Sequence, residues 1–93
     1  MLTPTQSLRV AIWSVHAVSG ETATPKQKLR NVGIPDRDHL DLVNDMITLS
    51  KENGVRFYDH EIDRHVLDEL SVGNSINEVA VLVQDNAIPQ GKT

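Results

Sequence analysis

The feature that most constrains the fold is the segment from His39 to Asn53, because its apolar and polar residues fall on opposite halves of a helical wheel. A strand would show a two-residue alternation instead. Asp38 precedes the segment as a predicted N-cap, and Asn53-Gly54 follows it as a predicted left-handed stop. We therefore expect an amphipathic helix over residues 39–53. Its apolar half comprises Leu40, Leu42, Val43, Met46, Ile47 and Leu49, and its polar half Asp41, Asn44, Asp45, Thr48, Lys51 and Glu52.

The N-terminal part of the chain also has helical periodicity. Residues 5–18 place apolar side chains at three- and four-residue intervals, which predicts a first helix. Residues 20–38, GETATPKQKLRNVGIPDRD, contain turn formers with little periodicity and predict a long ordered loop that is functional or packs on the core. Trp13 lies off the apolar stripe and is expected to cover this loop. That stripe comprises Leu8, Ala11, Ile12, Val15 and Val18.

The C-terminal half predicts two more helices. Residues 55–58, VRFY, are too few to found a sheet, so we expect an extended connector with Val55 and Phe57 buried. A short third helix is expected within residues 59–70, because apolar residues recur there every four positions. The last helix is expected to be capped by Ser71, or by Ser75 in a capping box with Glu78. The repeating residues of the third helix are Ile62, Val66 and Leu70, and those of the last are Ile76, Val79, Ala80 and Val83.

The length of 93 residues predicts one domain with a single core over the whole chain, 1–93. The fold class is all-α: a small bundle of three long helices and one short helix, with the long loop between the first two. The ordered core is expected over about residues 5–86, and the tail from 86 to 93 is expected to fray. The chain has no cysteine, which excludes disulfides and thiolate metal sites.

The composition and charge limit the partners. No apolar run approaches the roughly 20 residues of a membrane span, and the N-terminus lacks the features of a secretory signal, so we expect a cytoplasmic protein without membrane contact. A monomer is a separate expectation, because the sequence does not determine the oligomeric state. The net charge of −4 disfavours nucleic acid and favours basic protein surfaces. The basic residues Lys26, Lys28 and Arg30 in the long loop are too few to predict a binding site.

The order of these signals from Asp38 onward resembles that of an acyl carrier protein. Members of that family have D-S-L-D-x-V at the start of the second helix, an acidic patch along it, a short third helix and a segment like T-V-x-x-A-I-x-x-I opening the fourth. The match runs without gaps from Asp38 to Phe57 and resumes at Ser71, although Asp45 and Asn53 are polar where the family is usually apolar. The matching residues are Asp38, Leu40, Asp41, Val43, Leu49, Glu52, Ser71, Val72, Ile76 and Val79.

The main departure from the family is His39, which stands where the family has a serine. In the family that serine carries a phosphopantetheine arm through a phosphodiester. A histidine has no hydroxyl, and transfer to a ring nitrogen would give a labile phosphoramidate. The resemblance therefore implies a binding module, not an enzyme, that has lost its attachment position between Asp38 and Leu40 and has no cofactor. A working carrier with a variant attachment site, which would bear phosphopantetheine, remains an alternative.

A purely structural interpretation of His39 is that its ring occupies the first turn and bonds Asp36, Asp38 or a backbone group. The nearby serines do not replace the missing one. Ser50 lies near the far end of the helix, and Ser71 and Ser75 are explained as caps.

The resemblance also implies partners, namely enzymes of fatty-acid, polyketide or related biosynthesis with basic docking patches. Without the resemblance, the acidic residues would be interpreted as a solvated helix face. Electrostatic recognition requires charge and shape rather than an arm, so it would survive the loss of the serine. The expected partner-binding residues are Asp36, Asp41, Val43, Asp45, Met46 and Glu52.

Other functions have weaker support. An unrelated helical interaction domain is the third possibility. A histidine phosphorelay is the fourth, because such domains have lysine and glycine after a mid-helix histidine, where this chain has Leu42 and Val43. The segment DRDHLD lacks the glycine of a calcium loop. In HEIDRH, His60 and His65 are five positions apart instead of the four of a zinc-binding helix, so no metal is expected.

Overall fold

The computed structural model of the chain describes residues 3–52, 55–57 and 67–89. These residues are mostly helical, which confirms the all-α class; the carrier-like arrangement in particular remains a prediction. The long loop joins the first two long helices and contains two 3₁₀ turns, and residues 67–69, ahead of the last long helix, are also helical. In chain order the elements are α1 (Pro4–Ser19), the first 3₁₀ turn (Leu29–Val32), the second 3₁₀ turn (Asp36–Asp38), α2 (His39–Glu52), β1 (Val55–Phe57), α3 (residues 67–69), α4 (Ile76–Asn86) and β2 (Ala87–Pro89).

Helix α1 begins with a capping box that was not predicted. Oγ1 of Thr3 accepts a hydrogen bond from the Gln6 N–H at 3.1 Å, and Oε1 of Gln6 accepts one from the Thr3 N–H at 2.9 Å. Pro4 takes the first helical position, where its missing N–H costs nothing. Thr, Pro and Gln in the order T-P-x-Q satisfy the known rules for helix starts, so this signal was present in the sequence.

The buried face of α1 is rotated relative to the predicted stripe. Leu8, Ile12 and Val18 belong to the predicted stripe but are only partly buried. The periodicity did not indicate this rotation because it counts serine as polar. Ser7 and Ser14 are nevertheless buried on α1, which packs against both α2 and α4. The fully buried residues of α1 are Ser7, Val10, Ala11, Ser14 and Val15.

The long loop between α1 and α2 is ordered and packs on the core, which was one of the two expected outcomes. Leu29 and Val32 in the first 3₁₀ turn and Ile34 after it are buried. Residues 25–30 also run beside residues 72–77. Four backbone hydrogen bonds join them: Leu29 N to Asn74 O (2.9 Å), Arg30 N to Val72 O (3.0 Å), Ile76 N to Gln27 O (2.9 Å) and Asn77 N to Pro25 O (3.0 Å). The loop is therefore hydrogen-bonded through its backbone to the segment that begins the last helix.

The start of α4 confirms the predicted capping box. Oγ of Ser75 accepts a hydrogen bond from the Glu78 N–H at 3.2 Å, and Oε1 of Glu78 accepts one from the Ser75 N–H at 3.3 Å. Ser71 is not the cap, because its hydroxyl oxygen accepts from the Gly73 N–H in the preceding turn. The predicted stripe is buried throughout: Ile76, Val79, Ala80 and Val83.

A small antiparallel ladder joins β1 and β2 in the register Val55 with Pro89 and Phe57 with Ala87. This corrects two predictions. Residues 55–57 are a paired strand rather than an isolated connector, and residues 87–89 are paired rather than frayed. The partner strand lies more than twenty-five positions away, so local patterns could not indicate the pairing.

Part of the predicted fold lies outside the described residues. This applies to the helix stop at Asn53-Gly54, to the side chains of Val55 and Phe57, and to the predicted third helix over residues 59–66. Residues 67–69 are helical and Leu70 is buried, in agreement with the end of that helix. Within the described ranges, none of the helices has both the length and the apolar character that crossing a lipid bilayer requires.

Candidate functional site

The helical path into α2 begins earlier than predicted. Pro35 is extended, with ψ 169°, and the second 3₁₀ turn that follows it leads directly into α2. Asp38 therefore lies inside a helical turn, where its own N–H donates to the Pro35 carbonyl oxygen at 3.0 Å. An N-cap residue is normally extended. The prediction that Asp38 caps α2 is wrong, and no capping bond from its side chain is found among the described residues.

The side chain of His39 is enclosed by the protein at the first residue of α2. The residue is 5% exposed and has ordinary helical dihedral angles. Its Nδ1 lies 3.9 Å from Oδ1 of Asp36, which is close enough for an ion pair with an imidazolium but too long for a hydrogen bond. Its Nε2 is buried and has no hydrogen-bond partner in the described part of the chain. The ring thus occupies the first turn beside Asp36, one of the neighbours expected from the sequence.

The residue after His39 has the opposite environment. Leu40 is 56% exposed, so its assignment to the buried half of the helix is wrong. At 100° per residue, Leu40 lies at the margin of the apolar half, where the packing of neighbouring elements decides burial. Asp38, on the other side, is partly buried. A residue that receives a modifying group must be exposed to the modifying enzyme. Here the candidate attachment residue His39 is enclosed, and the following residue, Leu40, is exposed.

Three carboxylates form one face of α2, which we call the acidic face: Asp41, Asp45 and Glu52. Their spacing of four and then seven residues places them one above another on the helix. Asp41 and Glu52 are exposed, and Asp45 is partly exposed. The ion pair found among the described residues joins His39 and Asp36, and none involves the acidic face. Its negative charge is therefore not neutralised by a neighbouring cation there.

Two of the residues expected to contact a partner belong to the core instead. Val43 and Met46 are 1% and 0% exposed. They lie on the face of α2 that packs against the protein, because the same periodicity that predicts the helix turns them away from the acidic face. They are removed from the candidate partner surface. Asp36, in contrast, is exposed just before α2 and remains on that surface.

A groove between α1 and α2 adjoins the acidic face and was not predicted. Its volume is about 400 Å³. Trp13 lines this groove and is 57% exposed; the lining of the groove includes no residue of the long loop, which Trp13 was expected to cover. Its position off the apolar stripe was the available signal, but the sequence did not show which helix it would face. The lining residues are Trp13, His16, Ala17, Asp45, Thr48 and Leu49.

The serines considered as substitutes for the missing attachment residue are not presented as one. Ser50 is fully buried on α2, and its hydroxyl has no hydrogen-bond partner in the described ranges. The hydroxyl of Ser75 belongs to the α4 capping box, and that of Ser71 to the turn before it. The structure therefore offers no serine at the start of α2 in the setting that the carrier family uses.

The basic residues of the loop, Lys26, Lys28 and Arg30, are exposed and form no ion pair with another described residue. Within the same described ranges, no three His, Asp or Glu side chains lie close enough together to hold a metal ion.

In comparisons with models of protein families, with curated proteins and with solved structures, the chain matches none of them.

Proposed function

We propose that this chain is a carrier-like binding module that enzymes recognise through the acidic face of α2, and that it bears no phosphopantetheine arm. The observation that carries the proposal is the row of carboxylates at Asp41, Asp45 and Glu52, which lack a cationic partner among the described residues. Such a row attracts a basic surface and sets its position along the helix.

His39 supports the absence of an arm in two ways. Its ring has no hydroxyl to form the phosphodiester of the carrier family. It is also 5% exposed, so a transferase could not reach either nitrogen unless the first turn of α2 opened. The chemical and the geometric reasons are independent of each other.

The proposed partners are enzymes of fatty-acid, polyketide or related biosynthesis with basic docking patches. The resemblance around α2 supplies this class of enzyme, and the charge of the acidic face supplies the physical reason for binding. The module would act as an adaptor or regulator, because recognition by charge and shape does not require a tethered cargo.

Recognition is tested by the affinity of the chain for a broad-specificity phosphopantetheinyl transferase without coenzyme A, measured by biolayer interferometry. The combined variant Asp41→Asn, Asp45→Asn, Glu52→Gln is expected to bind roughly tenfold more weakly, because three exposed charge pairs of about 0.5 kcal/mol each are lost. Added salt should reduce the difference.

A matched control separates this face from the total charge. The variant Asp68→Asn, Glu69→Gln, Asp85→Asn changes the net charge equally, at exposed positions outside α2. It should bind like the native chain. Equal weakening by both variants, or no binding of the native chain, would contradict recognition through the acidic face.

The absence of an arm is tested by intact mass after incubation with coenzyme A and the same transferase. The native chain should keep its mass, and modification of it would favour the variant-site alternative. His39→Ser supplies the missing hydroxyl in its D-S-L setting but leaves it at an enclosed position, so it should gain an arm slowly, at the rate at which the first turn of α2 opens. Leu40→Ser places a hydroxyl at an exposed position one residue out of register and should not. Failure of His39→Ser to load even after prolonged incubation would count against the carrier resemblance without affecting the binding measurement.

A further inference from the structure

We infer that the groove between α1 and α2 seats an apolar side chain of a basic amphipathic helix in a partner protein. This inference rests on the proposed function, because Asp45 belongs to both the groove and the acidic face. It adds a second, apolar component to recognition and specifies the shape of the partner element.

The groove has the composition of an anchor site. Its apolar lining comes from Trp13 and Ala17 on α1 and from Leu49 on α2, and its volume is about 400 Å³. Trp13 is 57% exposed although tryptophan is the largest apolar side chain available to a core. Exposed tryptophans that a partner covers are among the strongest contributors to binding. The lining on each helix extends over about one turn, which suits one inserted side chain rather than an extended chain.

The charge around the groove is asymmetric. Asp45 is in the α2 wall, and Asp41 and Glu52 continue the negative row for roughly 16 Å along the helix axis. The α1 wall contains His16, and the exposed Arg9 lies one turn before Trp13. A partner helix therefore fits with its apolar residue in the groove and its lysines or arginines turned toward α2. Helices with an apolar stripe beside a basic stripe have this arrangement.

A second copy of the chain is a poorer occupant. A symmetric pair that buries the same groove on both molecules would bring the two acidic faces together. Like charges at such an interface repel, and the chain has a net charge of −4. Charge complementarity thus favours a basic partner over self-association.

Trp13 provides the readout, because it is the only tryptophan in the chain. The probe is a leucine- and lysine-containing amphipathic peptide of roughly 18 residues, which is long enough to become helical. Its addition to the full chain should shift the tryptophan emission to the blue and saturate. The control peptide has glutamate in place of every lysine and should leave the emission unchanged.

Variants at exposed or partly exposed positions locate the contact without disturbing the core. Ala17→Phe fills the groove and should weaken peptide binding at least about tenfold, as expected for loss of an anchor contact. Asp45→Asn removes one charge of the groove wall and should weaken it about threefold. Asp68→Asn makes the same change of charge away from the groove and should have no effect. Calorimetry on Trp13→Ala should show a loss of roughly thirtyfold.

Three results would overturn the inference. The first is peptide binding that leaves the Trp13 emission and the affinity of Ala17→Phe unchanged. The second is equal binding of the glutamate peptide. The third is a concentration-dependent dimer in sedimentation, accompanied by the same blue shift without peptide, which would make a second copy the occupant.

The transferase measurement separates this inference from the proposed function. If Ala17→Phe binds the transferase normally but loses the peptide, both remain supported and the groove serves another partner. If the acidic face is required for the transferase and the groove binds no peptide, the proposed function stands and the inference fails.

Discussion

The starts of α2 and α4 solve the same problem in different ways, since each helix must satisfy N–H groups that have no partner within the helix. At α4, Ser75 and Glu78 bond each other's backbone, and the long loop adds further backbone bonds. At α2, a 3₁₀ turn after Pro35 continues into the helix and no side-chain cap is found among the described residues. Instead, the turn encloses His39 with an unpartnered ring nitrogen.

This difference indicates that the start of α2 is the less favourable of the two helix starts. The start of α4 follows the rules of a stable helix, whereas a buried nitrogen without a hydrogen bond costs free energy. Proteins depart from locally stable arrangements mainly at functional sites. The start of α2 is also where the proposed resemblance to the carrier family has its main departure, at His39. The two observations come from different sources and coincide at this turn, while the other buried polar atoms without a partner in the described residues are the hydroxyls of Ser7, Ser14 and Ser50.

The largest expected effect in this comparison is at the buried side of the α4 start. Ile76→Ala should lower the free energy of unfolding by about 2–5 kcal/mol, because Ile76 is fully buried and its removal leaves a cavity. Urea denaturation measures this change. Val81→Ala, in the same helix but 53% exposed, should change stability by less than about 0.5 kcal/mol. Similar losses for the two variants would show that α4 is not packed as described.

The capping box should contribute less than the core. Ser75→Ala removes the acceptor for the Glu78 N–H and should cost about 1 kcal/mol. Ser71→Ala is the control, because its hydroxyl accepts only in the turn before the helix, and it should cost less than half as much. An equal or larger loss for Ser71→Ala, measured by the same denaturation, would assign the capping role to the wrong serine.

The α2 start should respond in the opposite direction. His39→Leu replaces an enclosed ring that has an unpartnered nitrogen with an apolar side chain, so stability should rise by up to about 1 kcal/mol. Thermal denaturation at neutral pH measures the shift. A clear loss of stability would mean that the ring makes a bond that the described residues do not account for, and the contrast between the two helix starts would disappear.

The smallest expected effect is at the exposed partner of that ring. Asp36→Asn should change the free energy of unfolding by less than about 0.5 kcal/mol, because an exposed carboxylate 3.9 Å from Nδ1 interacts weakly through solvent. A loss comparable to that of Ser75→Ala would show that Asp36 holds His39 in place.

The elements that sequence predicted well are those whose signals are local. The amphipathic course of α2 and the Ser75–Glu78 box depend on residues within a few positions of each other, so periodicity was sufficient for the first and capping rules for the second. The capping rules failed at the α2 start, where Asp38 lies inside the preceding 3₁₀ turn. The rotation of α1 was missed because hydrophobic periodicity counts Ser7 and Ser14 as polar, although both are buried. The loop contacts of residues 25–30 and the strand pairing were missed because their partners are distant in sequence.

The candidate site divides in the same way. The acidic face follows from spacing along one helix and was predicted in full. The burial of His39, the exposure of Leu40 and the groove at Trp13 depend on how neighbouring elements meet α2, which no pattern within the helix records. The inclusion of Val43 and Met46 in a partner surface was an avoidable error, since the wheel already placed them on the buried half.

The backbone bonds between residues 25–30 and 72–77 also bear on how the chain acquires its structure. They connect segments separated by about half of the sequence, and contacts between distant segments slow folding. During synthesis the earlier segment must wait until the ribosome has released the later one. In a nascent chain the loop at residues 25–30 therefore has no partner until residues 72–77 have been made.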